Sequence, residues 1–376
     1  LAAALASHQL GRGHVCLDIN ATLNAPDFAL SLPPEGDDLT DPPPLPSDVL
    51  VTLTLSEWQA ALHHPLLTSE GPGNTPLVVV TTHSANSNPS TRLYLRRYWQ
   101  YEQSLHQHIA ARLEATGTGS ESTGTKGQSG RPIHWATGDA SHPGLLPQAL
   151  NILFKQSNGL DWQKTACALA ARSRFGIITG GPGTGKTTTV VRLLALLQTL
   201  QLAQHPSQPL RIRLAAPTGK AAARLNESIA GQVNALPLAE LATLLSEHSP
   251  AAAASEIAIP TEVTTLHRLL GARPDTRHFR HSAANPLALD VLVIDEASMV
   301  DIEMMAATLS ALPSHAQCIL LGDKDQLASV EAGSVLGDLC RRAEAAHYTP
   351  ATAKWLAQAT GQPLPAEFID PAGQPL

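Results

Sequence analysis

The chain has 376 residues, 43% hydrophobic and only 15% charged, with a formal net charge of −7. That length allows two or three domains around a sizeable core. No apolar run reaches the ~18 residues expected of a spanning helix, so a cytoplasmic protein with no membrane partner is expected. The charge is uneven: residues 1–150 hold 7 Lys/Arg against 13 Asp/Glu, and residues 151–376 hold 18 against 19. That balance argues against the first region as a polyanion binder, while the second has room for a local basic groove.

In chain order, Leu1-Ala-Ala-Ala-Leu5 reads as the inside of a helix, with neither an initiator Met nor a signal pattern, so a truncated N-terminus is expected. Pro33 to Pro46, rich in Pro and acids, reads as a loop. Leu50 to Leu67 is helix-like with Trp58 and Leu62 on one face, Leu77 to Thr82 reads as a strand, and Arg92 to Leu113 reads as a helix. That helix carries Tyr94, Tyr98, Trp99 and Tyr101, which at helical spacing are read as core or partner surface rather than as a platform for bases. Thr116 to Gly130 is low in complexity and marks an approximate domain boundary. The cysteines Cys16, Cys167, Cys318 and Cys340 form no paired motif and read as reduced thiols.

From Leu160 the pattern changes. Strand-like runs at Gly176–Thr179, Arg211–Ala216, Val291–Ile294 and Cys318–Leu321 alternate with helix-like runs at Gly185–Leu200, Thr218–Ala230 and Ser298–Leu312. Near-continuous apolar strands separated by helices predict an α/β fold, a parallel sheet with helices on both faces. Ligands of such sheets bind at the carboxyl ends of the strands. Pro250 to Pro260, Ala-rich with few charges, reads as a surface loop, and Leu356 to Leu376, with several prolines, as a linker.

The chemistry falls at those strand ends. Gly180, Gly181, Pro182, Gly183, Thr184, Gly185, Lys186, Thr187 and Thr188 form a phosphate-binding loop between an apolar strand and an apolar helix. Its backbone N–H groups and the helix dipole suit phosphates. Lys186 can reach the β- and γ-phosphates, and Thr187 can ligate Mg²⁺. Val291-Leu-Val-Ile-Asp295-Glu296 is a buried strand ending in two carboxylates. Asp295 is expected to hold Mg²⁺ through water and Glu296 to deprotonate the attacking water, the two pointing to opposite sides of an extended strand. Gln326, after the strand that ends at Gly322-Asp323, is placed to feel a γ-phosphate. Gln163, just before the first strand, can read an adenine edge with its paired donor and acceptor. Thr218 and Lys220 begin a helix and suit a nucleic-acid phosphate, on the sheet edge away from the nucleotide. Thr265, His267 and Arg268 open the most basic stretch; over residues 264–281 only Asp275 opposes four arginines. That stretch alone leaves a solvated helix and a DNA contact equally open.

The segments GGPGTGKTTT, AAPTGKAAARL, TLHRLLG, VLVIDEASMVD and LGDKDQLASVEAGSVLGDLC follow Gln163 in that order. Together they resemble superfamily 1 DNA helicases of the RecD type, the alpha subunits of RecBCD exodeoxyribonuclease V. The opening LAAALASHQLGRGHVCLDI resembles the first domain of that family. The resemblance is strong over roughly 160–342 and weaker over 1–115. It implies a RecA-like motor domain preceded by a smaller, mainly helical accessory domain. It also implies ATP and Mg²⁺ as cofactors, 5′→3′ movement, and action on single-stranded and duplex-end DNA with RecB-like and RecC-like subunits. The implied layout is an accessory domain over 1–115, a connector over 116–150 with a mobile Gly/Ser/Thr-rich part, a first motor domain over 151–345, and a linker over 346–376 toward a second motor domain. Thr218, Lys220, Thr265 and His267 fall in segments that line the single-strand path in such helicases. Nothing after Arg342 resembles the family's second motor domain, so the chain is expected to be a fragment or one half of a split protein. Rival expectations are a stand-alone helicase of the same type and, for this fragment, a non-catalytic nucleotide-binding assembly subunit.

Overall fold

The computed structural model describes residues 1–376 except 31–43, 85–86, 118–141, 143, 156–158, 327–331, 342, 344–347 and 372–376. The loop expected over Pro33 to Pro46 and the low-complexity stretch from Thr116 to Gly130 fall largely outside the described residues; Pro46 itself starts a helix. The chain forms two compact units.

The first unit comprises residues 1–104 with 301–306 and 329–334. Its helices α1 (Ala2–Leu10), α2 (Ile19–Asn24), α3 (Pro26–Leu30), α4 (Pro46–Leu50) and α5 (Leu55–Leu62) surround a sheet in the order β1-β4-β3-β2, built from β1 (Cys16–Asp18), β2 (Thr68–Ser69), β3 (Leu77–Ser84) and β4 (Ser87–Leu95). The unit is thus helical as expected, with four strands beside its helices. Thr54 and Glu57 form a reciprocal cap on α5, which satisfies two backbone donors that a helix start leaves open. Trp58 and Leu62, one turn apart on that helix, are buried with Leu17, Ile19, Leu77, Val79 and Leu93.

Arg92 to Leu113 is not one helix. Arg92 to Leu95 pair with β3 in an antiparallel register that sets Leu93 opposite Val79, and α6 (Arg96–Gly117) follows. Tyr94, on the strand, and Tyr98, on the helix, are both buried. Their spacing mimicked one helical face across a strand–helix junction.

The second unit comprises residues 105–300, 307–328 and 335–376. Five strands, β5 (Phe175–Thr179), β6 (Ile212–Ala216), β7 (Val263–Thr265), β8 (Val291–Ile294) and β9 (Gln317–Gly322), form a sheet in the order β5-β9-β8-β6-β7. Every neighbouring pair is parallel. Both β8 and β9 are buried along their whole length, as a parallel sheet covered by helices demands. Its helices are α7 (Leu145–Leu153), α8 (Trp162–Arg172), α9 (Lys186–Gln204), α10 (Gly219–Asn234), α11 (Leu238–His248), α12 (Leu266–Leu270), α14 (Val335–Leu339) and α15 (Pro350–Thr360), while α13 (Ile302–Ala311) is divided, residues 302–306 counting with the first unit and 307–311 with this one. α7, α8, α10 and α11 pack on α9, so α9 is buried from Val190 to Ala203 except at Arg192.

Three expectations change and one is refined. Residues 145–150 belong to α7, whose Leu145, Ala149 and Leu150 sit in the core of this unit; an apolar face needs a packing partner, which a connector does not have. Pro250 to Pro260 is an exposed loop over most of its length, as expected, but an anchored one: it opens with a 3₁₀ turn (Pro250–Ala252), Ala252 and Ile257 are buried, and Gln198 donates to the Ala258 carbonyl at 2.9 Å. Ser298 to Leu312 splits into a 3₁₀ turn (Ala297–Met299) and α13, with extended Val300 between them. Leu356 to Leu376 is packed rather than linker-like where it is described: Leu356, Ala359 and Leu364 are buried, and Gly361 closes α15 in a left-handed conformation. The prolines there follow a helix end, where they are common.

All four cysteines are free thiols, with Cys167, Cys318 and Cys340 buried and Cys16 half-buried. Burial pushes each of them up, Cys318 to about 12.

Candidate nucleotide-binding site

Because the five strands are parallel, their carboxyl ends open on one side, and the loops after β5, β6, β8 and β9 converge there. The phosphate loop leaves β5 at Gly180, whose N–H donates to the Gly322 carbonyl of β9 at 3.2 Å. Gly183 (φ 76°) and Gly185 (φ 81°) are left-handed, a conformation that costs an L side chain roughly 1–2 kcal/mol. Gly185 carries a second constraint, since a Cβ there would lie 2.5 Å from Nε2 of Gln163. The first-turn N–H groups of α9 and its dipole face the loop that Gly185 closes. Lys186 folds over this loop, its Nζ donating to the carbonyls of Gly180 (2.5 Å) and Gly181 (2.9 Å). Thr184 closes the crown, donating to the Gly181 carbonyl at 2.8 Å.

Beside the loop lies a cavity of about 370 Å³, lined by Thr187, Thr218, Lys220, Asp295, Glu296 and Gln326 among others. Residues from four separate motifs thus meet in one place. Asp295 follows β8 and is held by its N–H on the Ala215 carbonyl of β6 at 2.9 Å. Burial pushes its carboxyl up; the nearby Glu296 charge adds to this, while Lys186 pulls it down. Glu296 differs from expectation in its backbone. The strand ends at Ile294, and Glu296 adopts φ 51° and ψ 40°, the only left-handed non-glycine among the described residues. The two carboxylates are therefore separated by a tight turn and not by the alternation of a strand. Such a conformation in a non-glycine residue stores strain and marks a functional position more often than a neutral one.

Gln326 accepts from the Ser298 hydroxyl at 3.2 Å. Sequence reasoning did not single out Ser298, although its place two residues after Glu296 was a usable signal. It also passed over Arg224, Ser228 and Met299, which line the same cavity. Arg224 and Ser228 follow Lys220 at four-residue steps along α10, the helical spacing of one face.

Gln163 is positioned by a helix cap. Asp161 accepts from the N–H groups of Gln163 (2.9 Å) and Lys164 (3.1 Å) at the start of α8. The Gln163 amide then donates to the Thr184 carbonyl at 3.0 Å, which brings it against the phosphate loop. Thr188 turns elsewhere. Its hydroxyl pairs with Gln232 of α10 at 3.0 Å, so of the hydroxyls ending the loop, Thr187 faces the cavity and Thr188 braces two helices.

Thr218 and Lys220 are displaced from the expected edge. Thr218 caps α10, and both residues line the cavity with Thr187 and Asp295. The reason is topological: α10 starts at the carboxyl end of β6, the neighbour of β8. Thr265 caps α12 by accepting from the Arg268 N–H at 3.3 Å. His267 and Arg268 are exposed, and His267 packs edge-on to Phe279 at 6.1 Å. These three residues are not among the cavity lining.

Sheet, loop and acidic strand end together define a P-loop domain of the RecA-like α/β class, the class to which the motif series points. A family model described as an AAA domain matches residues 163–332. A second, described as the RecBCD enzyme subunit RecD N-terminal domain, matches residues 1–83. The chain is 39% identical over 342 residues to the RecBCD enzyme subunit RecD of Mycolicibacterium smegmatis, covering 90% of this chain and 48% of that protein. It is 38% identical over 343 residues to the subunit of the same name from Haemophilus influenzae, covering 91% and 47%. The ATP-dependent RecD2 DNA helicase of Deinococcus radiodurans is 35% identical over 173 residues, covering 46% and 19%. The chain spans about half the length of the RecD subunits it matches. It is similar to those subunits over most of its own length, with a match to a RecD N-terminal domain followed by a match to an AAA domain.

Proposed function

We propose that the chain is part of an ATP-dependent DNA motor, a 5′→3′ helicase subunit of a RecBCD-type exodeoxyribonuclease V acting in the cytoplasm on DNA ends during break repair. The observation that carries this reading is the cavity that gathers Thr187, Asp295, Glu296 and Gln326 beside the phosphate loop. Gln163 reads the adenine edge, and the loop and Lys186 bind the phosphates. Thr187 and Asp295 offer hard oxygen donors to one cavity, which suits Mg²⁺. When bound, that ion neutralises charge on the phosphates. Glu296 takes a proton from water as the water oxygen bonds to the γ-phosphorus and the bond to the leaving diphosphate breaks. Gln326, steadied by Ser298, orients that water.

Thr265, His267 and Arg268 contact the phosphates of single-stranded DNA, while Thr218 and Lys220, in the cavity lining, have a nucleotide phosphate and a DNA phosphate as rival ligands. The partners are RecB-like and RecC-like subunits, with the acidic N-terminal region as their docking domain. The match over residues 1–83 to a RecD N-terminal domain favours this reading over a stand-alone helicase, for which the chain would purify without other subunits.

The test separates the two carboxylates in the protein as encoded, with the subunits that co-purify. Glu296→Gln keeps nucleotide binding and lowers turnover by about 10²-fold or more, because the water loses its base. Asp295→Asn also weakens Mg²⁺-dependent nucleotide binding. Equal behaviour of both variants in a binding titration with Mg²⁺ overturns the division of roles.

A further inference from the structure

Residues 360–368 reach back to the segment that carries Gln163. The Gln362 side chain holds that segment at two points, its Oε1 accepting from the Asp161 N–H at 2.9 Å and its Nε2 donating to the Gly159 carbonyl at 2.9 Å. Lys164, next to Gln163 and buried, donates from Nζ to the Thr360 carbonyl at 2.7 Å and to Asn151 at 2.7 Å. Trp162, on the other side of Gln163, meets Phe368 edge-on with ring centroids 4.9 Å apart. Phe368 is in turn fixed, its carbonyl accepting from the Tyr348 N–H at 3.2 Å. The residues on both sides of Gln163 are therefore gripped from one stretch of chain about two hundred positions away. Gln163 itself points the other way, onto Thr184 of the phosphate loop. Its aim is fixed by the direction in which α8 starts, and that direction is set by Asp161, the residue Gln362 holds.

We propose that Gln362 and Phe368 are positioning residues for base selection: they hold the start of α8 so that the Gln163 amide meets the adenine edge. The inference rests on the reading of Gln163 as the adenine contact. It assigns part of nucleotide specificity to the segment that leads out of the motor sheet. The amide of Gln362 suits the task because it supplies one acceptor and one donor in a plane, matching the N–H of Asp161 and the carbonyl of Gly159. A carboxylate would keep the first contact and repel the second.

The experiment compares ATP, GTP and inorganic tripolyphosphate, each with Mg²⁺, as ligands of the encoded protein with its co-purifying subunits. Gln362→Ala weakens ATP roughly fivefold, the scale of about one net hydrogen bond. It lowers the preference for ATP over GTP by the same factor and leaves tripolyphosphate within about twofold, since the phosphate loop is untouched. Gln163→Ala gives the same pattern, and the double variant is no weaker than Gln163→Ala alone, as expected when one residue acts through the other. Phe368→Leu keeps an apolar side chain and shows the same pattern at about half the size on a free-energy scale; it carries the test if Gln362→Ala fails to fold by thermal melt. Equal weakening of ATP and tripolyphosphate by Gln362→Ala, or a loss that adds to that of Gln163→Ala, overturns the positioning role. If Gln163→Ala itself leaves the preference for ATP over GTP unchanged, the adenine reading falls first, and the positioning role falls with it.

Discussion

Glu296 joins two demands in one residue. Its left-handed backbone (φ 51°) costs an L residue roughly 1–2 kcal/mol. The chain accepts that cost where a carboxylate faces the cavity with Asp295 and Thr187. Glycine carries no such penalty at this conformation, though its extra chain entropy offsets about 0.5–1 kcal/mol of the gain. Glu296→Gly is therefore expected to stabilise the fold by about 0.5–1 kcal/mol while removing the proposed base. Denaturant unfolding measures the first effect and steady-state turnover the second. A variant less stable than the wild type would show that the Glu296 side chain makes contacts worth more than the strain.

Among the elements, β6, β8 and the turn into β9 are joined at their amino-terminal ends by Asp290. It accepts from the Arg211 guanidinium at 2.8 and 3.0 Å and from the Arg211 N–H at 2.9 Å, and it pairs with His315 at 3.2 Å. Burial alone would push its carboxyl up, but the hydrogen bonds from His315 and Arg211 outweigh it and hold Asp290 well below the usual carboxylate range. A depressed pKa contributes stability that is fully present above the unfolded value of about 3.9 and is lost as pH falls through the lower folded value. Asp290→Asn should cost about 1–2 kcal/mol at neutral pH, allowing for the exposure of Arg211. The gap to wild type should close in acid, below about pH 4. Urea midpoints of both proteins across that range check it; a gap that stays constant would mean the carboxylate charge contributes nothing. The sequence showed four of the five strands of this sheet to within a residue or two, because buried parallel strands are plain apolar runs; it missed β7, whose three residues Val263–Thr265 hold a single apolar side chain. It hid the Arg211–Asp290–His315 cluster, whose members lie far apart in the chain and match no motif. It also hid the β4–α6 junction, where Tyr94 and Tyr98 fit a helical period across two kinds of backbone. In the site, the phosphate loop, Asp295 and Gln326 were legible because each ends an apolar run. Ser298 and the turn at Glu296 were not, since no residue pattern signals a left-handed glutamate.

For the molecule as a whole, the net charge of −7 means that any grip on DNA must be local. Lys220 tests where that grip lies. It lines the cavity with Thr187 and Asp295, so a nucleotide phosphate and a DNA phosphate compete as its ligand. As a DNA contact, Lys220→Ala lowers the salt slope of single-strand binding by about 0.7 and leaves DNA-free ATP affinity nearly unchanged. An unchanged slope with a large loss of ATP affinity would assign the lysine to the nucleotide instead. The buried thiols give such experiments a clean background. Thiolates, not thiols, react with alkylating dyes, and burial raises the pKa of all four native cysteines. A cysteine introduced on an exposed position outside the site, such as Ala242 on α11, would take a fluorophore far faster than they do. The protein could then be followed by fluorescence from one chosen place, without first replacing residues of its core.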